Sequence, residues 1–125
     1  MAGGAGNDTI TGGGGDDTLS GGGGNNLFVY NDTADGADTI TDFQVGSSKD
    51  VIDIHDVLSG VGDTSNLDSD GFVQLTDNGA GKVVVEVDAD GSVGGANFVA
   101  LATLNTVAFG SVSVDDLVNS GNLTA

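Results

Sequence analysis

Cysteine is missing altogether from this 125-residue chain. Neither disulfides nor thiolate metal sites are open to it, and zinc is a poor candidate ligand. Basic residues are almost missing too: Lys49 and Lys82 stand against 19 acidic residues, for a formal charge of −17. That sign is the opposite of what a phosphate backbone demands, so nucleic-acid binding is excluded. An anionic membrane surface is disfavoured for the same reason. The single histidine, His55, has no cysteine or second histidine to work with and reads as a turn residue. Neither H-E-x-x-H nor G-x-S-x-G occurs, so the chain is expected not to be an enzyme. Residues 1–20 hold no basic n-region and no apolar h-region, so no Sec-type signal peptide is expected. No apolar run approaches the ~20 residues of a membrane span, so stable insertion is not expected.

Asp is abundant instead, with 18 of the 19 acidic places. Acidic chains are often disordered, yet many of these aspartates follow glycine loops rather than forming a run. Gly3–Gly4–Ala5–Gly6–Asn7–Asp8–Thr9–Ile10–Thr11 is followed directly by Gly12–Gly13–Gly14–Gly15–Asp16–Asp17–Thr18–Leu19–Ser20. Both fit G-G-x-G-x-D-x-U-x, where U is a large apolar residue. Clustered glycines let the backbone take positive φ and bring carbonyl oxygens together. Carbonyls plus a carboxylate are the hard oxygen ligands that calcium takes. Each unit then ends in a short β-prone run with one apolar residue to turn inward.

The repeat decays gradually. Its sixth places are Asp8, Asp17, Asn26, Asp38 and Asp50, separated by nine, nine, twelve and twelve residues. The apolar places Ile10, Leu19, Phe28, Ile40 and Ile52 keep the same separations. Two features that stay in step through a change of period imply one structural rule with three-residue insertions. Asn7 and Asp16 read as solvent-facing turn residues. Three buried apolar side chains cannot repay the ordering of a glycine-rich segment this long, so residues 3–53 are expected to need a cation to fold.

Three further strands are expected at Phe72–Thr76, Lys82–Asp88 and Phe98–Leu104, the last apolar on both faces and central. Asp77–Gly81 reads as a hairpin connection, and residues 59–71 as a loop. Glu86–Gly91 imitates the opening of an EF-hand, but Asn97 stands where the bidentate Glu belongs, so it reads as a turn. Ser113 caps a short helix over Val114–Asn119, with Asp115 and Asp116 in its first turn and Gly121 at its stop. Val114, Leu117 and Val118 are expected to pack that helix on the meander.

The nonapeptide resembles the calcium-binding signature of RTX proteins. Asp38–Phe43 with Asp50–Ile54 is similar to the segment that follows the repeats in such exoproteins. Val87–Gly91 and the ending Asp116–Leu123 resemble the C-terminal target domain of type I secreted proteins, giant bacterial adhesins above all. The resemblance implies an all-β fold: a short calcium-binding parallel β-roll continued by an antiparallel meander, with a small C-terminal helix. It divides the chain into a roll at 3–56 and a β-rich secretion target region at 57–125. Two nonapeptides make one coil, so the first loop faces the third, the second faces the region of Asp38, and the third that of Asp50. The implied calcium ligands are Asp8 and Asp17 with carbonyls of Gly4, Gly6, Gly13 and Gly15, joined by Asn26, Asp38 and Asp50. Leu117, Val118 and Leu123 become determinants of an uncleaved export signal read by a type I ABC exporter. The implied product is a secreted or cell-surface adhesin, and the domain is expected to be monomeric. Because the chain opens on a repeat, it is read as the C-terminal part of a longer protein. An RTX protease or lipase with its catalytic part upstream is an alternative. Ice binding is another, through Thr9-x-Thr11 and Thr39-x-Thr41.

Overall fold

Two apolar columns organise the molecule. In the computed structural model, which describes residues 2–31, 36–46, 49–58, 72–88 and 98–124, every apolar repeat place turns inward. Ile10, Phe28, Ile52 and Leu123 face one another across successive strands of one sheet. Leu19, Ile40, Leu104 and Val83 do the same in the other. All eight are at most 3% exposed. Phe28 also meets Phe43, ring centres 6.0 Å apart.

The strands are β1 (Thr9–Ile10), β2 (Thr18–Leu19), β3 (Leu27–Val29), β4 (Asp38–Ile40) and β5 (Val51–Asp53), then β6 (Val73–Asp77), β7 (Lys82–Val87), β8 (Val99–Ala108) and β9 (Leu123–Thr124). A helix, α1 (Val114–Ser120), lies between the last two. One sheet has the order β1-β3-β5-β9 and is parallel throughout. The other runs β2-β4-β8-β7-β6, parallel as far as β8 and antiparallel beyond it. Odd and even repeats therefore feed opposite sheets, as a β-roll requires. The protein is mostly β-sheet with one short helix, as expected.

Elements of 57–124 complete both sheets. β8 pairs with β4, and β9 with β5, so the sheets continue across the 56/57 division. β8 is central, as its two-faced apolar pattern implies, and runs on to Ala108. The hairpin is closed by two side chains: Asp77 Oδ1 accepts from Gly79 and Gly81 N–H, and Asn78 Oδ1 from Ala80 and Lys82 N–H. Val83, Val85 and Val87 are buried on one face of β7, with Val84 covered as well. The loop at 59–71, and Ala89, Asp90, Gly91 and Asn97 of the EF-hand-like stretch, lie outside the described residues.

Ser113 and Asp116 cap α1 reciprocally, and Gly121 closes it with φ 82°. One expectation needs correction. Val114 and Leu117 are buried, but Val118 is 37% exposed, because α1 packs on β9 as well as β6 and that seat turns Val118 outward. His55 is an exposed turn residue, as read.

Candidate calcium site

The loops stack as the two-unit coil demands. Leu27 N–H donates to Asp8 O, Thr39 N–H to Asp17 O and Val51 N–H to Asn26 O, each at 2.8 Å. Loop one thus faces loop three, loop two the Asp38 region, and loop three the Asp50 region. Alternate glycines of the first three loops have positive φ, from Gly4 (98°) and Gly6 (96°) to Gly22 (76°) and Gly24 (80°). Their carbonyls turn toward the next coil so closely that a Cβ on Gly24 would fall 2.2 Å from Gly6 O. On the other side, a Cβ on Gly36 would fall 2.0 Å from Gly15 O. Only glycine permits this stacking.

The sixth-place side chains of the third, fourth and fifth units each reach back one coil and cap a main-chain N–H. Asn26 Oδ1 accepts from Asp8 N–H (3.0 Å), Asp38 Oδ1 from Asp17 N–H (2.8 Å) and Asp50 Oδ1 from Asn26 N–H (2.9 Å). Asn7 and Asp16 are exposed, as expected, but they too accept across the coil, from Asn25 and Ala37 N–H.

The second oxygens behave differently. Asp8 Oδ2, Asp17 Oδ2 and Asp38 Oδ2 are buried with no hydrogen-bond partner. Two of them converge: a Cβ on Gly12 would stand 2.9 Å from Asp38 Oδ2 and 3.0 Å from Asp17 Oδ2. Buried carboxylate oxygens without partners are costly unless a cation answers them. Burial holds the Asp38 carboxyl above the usual range, the Asp17 and Asp16 charges add to the rise, and the Asp17 N–H and nearby Tyr30 hydroxyl offset part of it. Among the described residues no group of three or more His, Cys, Asp or Glu side chains could hold a metal alone. An ion here must therefore draw on main-chain carbonyls too. Carbonyls and orphaned carboxylates are a hard, oxygen-only donor set, and that set fits calcium.

Two residues that the spacing did not single out complete the stack. Asp42 accepts from Ser20 Oγ (2.7 Å) and from the N–H groups of Gly21 and Gly22 (2.9 Å each). Burial pushes its carboxyl up, but those donors outweigh it and hold it below the usual range. Asn122 closes the far end. Its Nδ2 donates to Asp50 O (2.6 Å) and Gly46 O (3.1 Å), and its Oδ1 accepts from Gly46 N–H. Asp42 lies four residues past Asp38, outside the nonapeptide frame, so the repeat gives no cue to it.

Residues 1–28 match the model of the RTX calcium-binding nonapeptide repeat. The crystal structure of the C-terminal domain (RV) of MpAFP is similar to this chain. It is 30% identical, with 83% of this chain and 74% of that one covered, at a TM-score of 0.51. This chain belongs to the family of that domain. It is a calcium-binding RTX module, and calcium is its cofactor. No curated protein matches it significantly. Among the described residues no helix is long and apolar enough to cross a membrane.

Proposed function

We propose that this chain folds when it meets calcium and carries the C-terminal type I secretion signal of a large secreted or surface RTX adhesin, with no catalysis of its own. The observation that carries the calcium trigger is the set of orphaned oxygens on Asp8, Asp17 and Asp38. Calcium takes 6–8 oxygens, and the carbonyls of Gly4, Gly6, Gly13 and Gly15 lie in the same loops. Without it the carboxylates oppose the close stacking that the glycines permit, and metal binding becomes folding free energy. The cytosol holds little free calcium, so the chain stays extended and transportable there. Outside, roughly 10⁻⁴–10⁻³ M affinities suffice, and folding on emergence opposes return. The export signal is assigned to α1 and β9, through Leu117, Val118 and Leu123, with a type I ABC exporter as partner.

A calcium titration followed by circular dichroism, amide spectra and ion counting tests the trigger. Calcium should order residues 3–53, and magnesium should substitute poorly because it demands a tighter octahedral shell. A chelated protein with the same dispersed amide spectrum over those residues would remove the reading.

One observation favours ice binding as a second reading. Thr18, Thr39 and Thr103 stand in register across β2, β4 and β8, Thr18 exposed and the other two half-buried. A thermal-hysteresis assay of the calcium-loaded protein decides it.

A further inference from the structure

The two sides of the roll are not equivalent. In each of the first three loops the outer atom of the sixth-place side chain lies against the loop's own first glycine. A Cβ on Gly3 would be 2.7 Å from Asp8 Oδ2, one on Gly12 3.0 Å from Asp17 Oδ2, and one on Gly21 2.3 Å from Asn26 Nδ2. Where the first two loops present an orphaned carboxylate oxygen, the third presents an amide NH₂. The orientation of that amide is fixed by its surroundings. Asn26 Oδ1 must face the Asp8 N–H, which is a donor. Nδ2 is then left to donate to Asp50 Oδ1 (3.2 Å) and Gly23 O (3.4 Å). Asp50 is itself fully engaged: Oδ1 accepts from Asn26, and Oδ2 from Gln44 N–H at 2.9 Å. No buried oxygen is orphaned on Asp50, in contrast to Asp38 on the other side of the roll.

We propose that the Asn26 amide takes the place of a cation between the third loop and Asp50, so that this level of the roll holds no calcium ion of its own while the Asp17–Asp38 level requires one. An NH₂ group offers partial positive charge to the same kind of partners, a loop carbonyl and a carboxylate, that a calcium ion would bridge. It cannot coordinate a cation, having no acceptor lone pair to give. Asn26 and Asp50 accordingly leave the ligand set that the RTX resemblance implies, and the Asn26–Asp50–Asn122 stack becomes a metal-free seam. Asp17, Asp38 and Asp8 keep their place in that set. This rests on the calcium reading above and gives it a layout: the level between the third loop and Asp50 is pre-paired, and the levels that carry Asp8, Asp17 and Asp38 are switched.

The test is Asn26→Asp in the full chain, with bound calcium counted by native mass spectrometry and unfolding by urea measured at limiting and at saturating calcium. The variant should bind one calcium ion more than the wild type. At limiting calcium its urea midpoint should fall, because a carboxylate now faces Asp50, and saturating calcium should restore it to at least the wild-type value. Equal ion counts at saturating calcium would overturn the inference, whatever happens to stability. If the wild type bound no calcium, the calcium reading itself would fail, which is a different result from equal non-zero counts. Wild-type protein supplies a second readout should the variant not fold. In calcium the Asn26 side-chain amide protons, held by Asp50 and Gly23 O, should be protected from exchange, and fast exchange there in the folded protein would also overturn the inference.

Discussion

Gly36 and Gly79 share a backbone conformation, φ 91° and 92°, yet nothing else. A Cβ on Gly79 meets nothing within 4 Å at the hairpin tip, whereas one on Gly36 meets Gly15 O at 2.0 Å. Gly79→Ala should cost only the left-handed penalty, about 1–2 kcal/mol. Gly36→Ala adds a main-chain collision that only separation of the coils relieves, and it should cost several times that while weakening calcium affinity. Urea midpoints of the two variants in calcium check it; similar losses would mean that the coils are not in contact there. The side chains between those coils also divide by sign. Asp42 is held below its usual range by donors, so its stabilisation is complete above the unfolded value of 3.8 and is lost as pH falls through the lower folded value. The stability difference between wild type and Asp42→Asn, on the order of 1–2 kcal/mol at neutral pH for a half-exposed carboxylate, should shrink toward zero below pH 3.8. Asp38 is raised by burial, so its charge opposes the calcium-free fold as pH rises past its folded value. Asp38→Asn should therefore stabilise the chelated protein at neutral pH and weaken calcium binding, measured by denaturation and titration of one preparation.

Among the elements, those with a period or a cap were legible. Five repeat strands, the β6–β7 hairpin, the central β8 and the Ser113 cap all follow from spacing, alternation or turn chemistry that acts over a few residues. β9 was not. It is two residues long with one apolar member, Leu123, and nothing in its neighbourhood distinguishes it from a tail. It exists because the β5 edge offers donors: Ile52 and Ile54 N–H donate to Asn122 O and Thr124 O, 2.8 Å each. Such a strand is a product of tertiary pairing, which local pattern cannot encode. Asn26 was legible as a sixth place of the repeat, but its position between Asp8 and Asp50 became visible only with the coils stacked. Leu123 closes the apolar column on Ile52 and is 3% exposed. Leu123→Ala should thus cost about 2–5 kcal/mol, read as a fall in the urea midpoint in calcium. A loss under about 0.5 kcal/mol, ordinary for a surface site, would mean that β9 does not close the sheet.

At the scale of the whole molecule, the segment assigned to export is also a structural part of the fold. That makes deletion of Val114–Ala125 an ambiguous experiment, since it removes Leu117, Asn122 and Leu123 from the core along with any signal. The exposure of Val118 separates the two roles. Its side chain is 37% exposed on α1, whereas Leu117 is fully buried beside it. An exporter that engages the chain before calcium folds it meets both as neighbouring apolar residues of an extended segment. Val118→Ser should then change stability in calcium by no more than about 0.5 kcal/mol, yet reduce export of a fused passenger. Leu117→Ala should lower both stability and export. The measurement is passenger protein in the medium over time, beside urea midpoints of the purified variants. If Val118→Ser were exported at the wild-type rate while Leu117→Ala slowed in proportion to its lost stability, export would be tracking the fold alone. The segment would then have no role beyond holding β9 against β5.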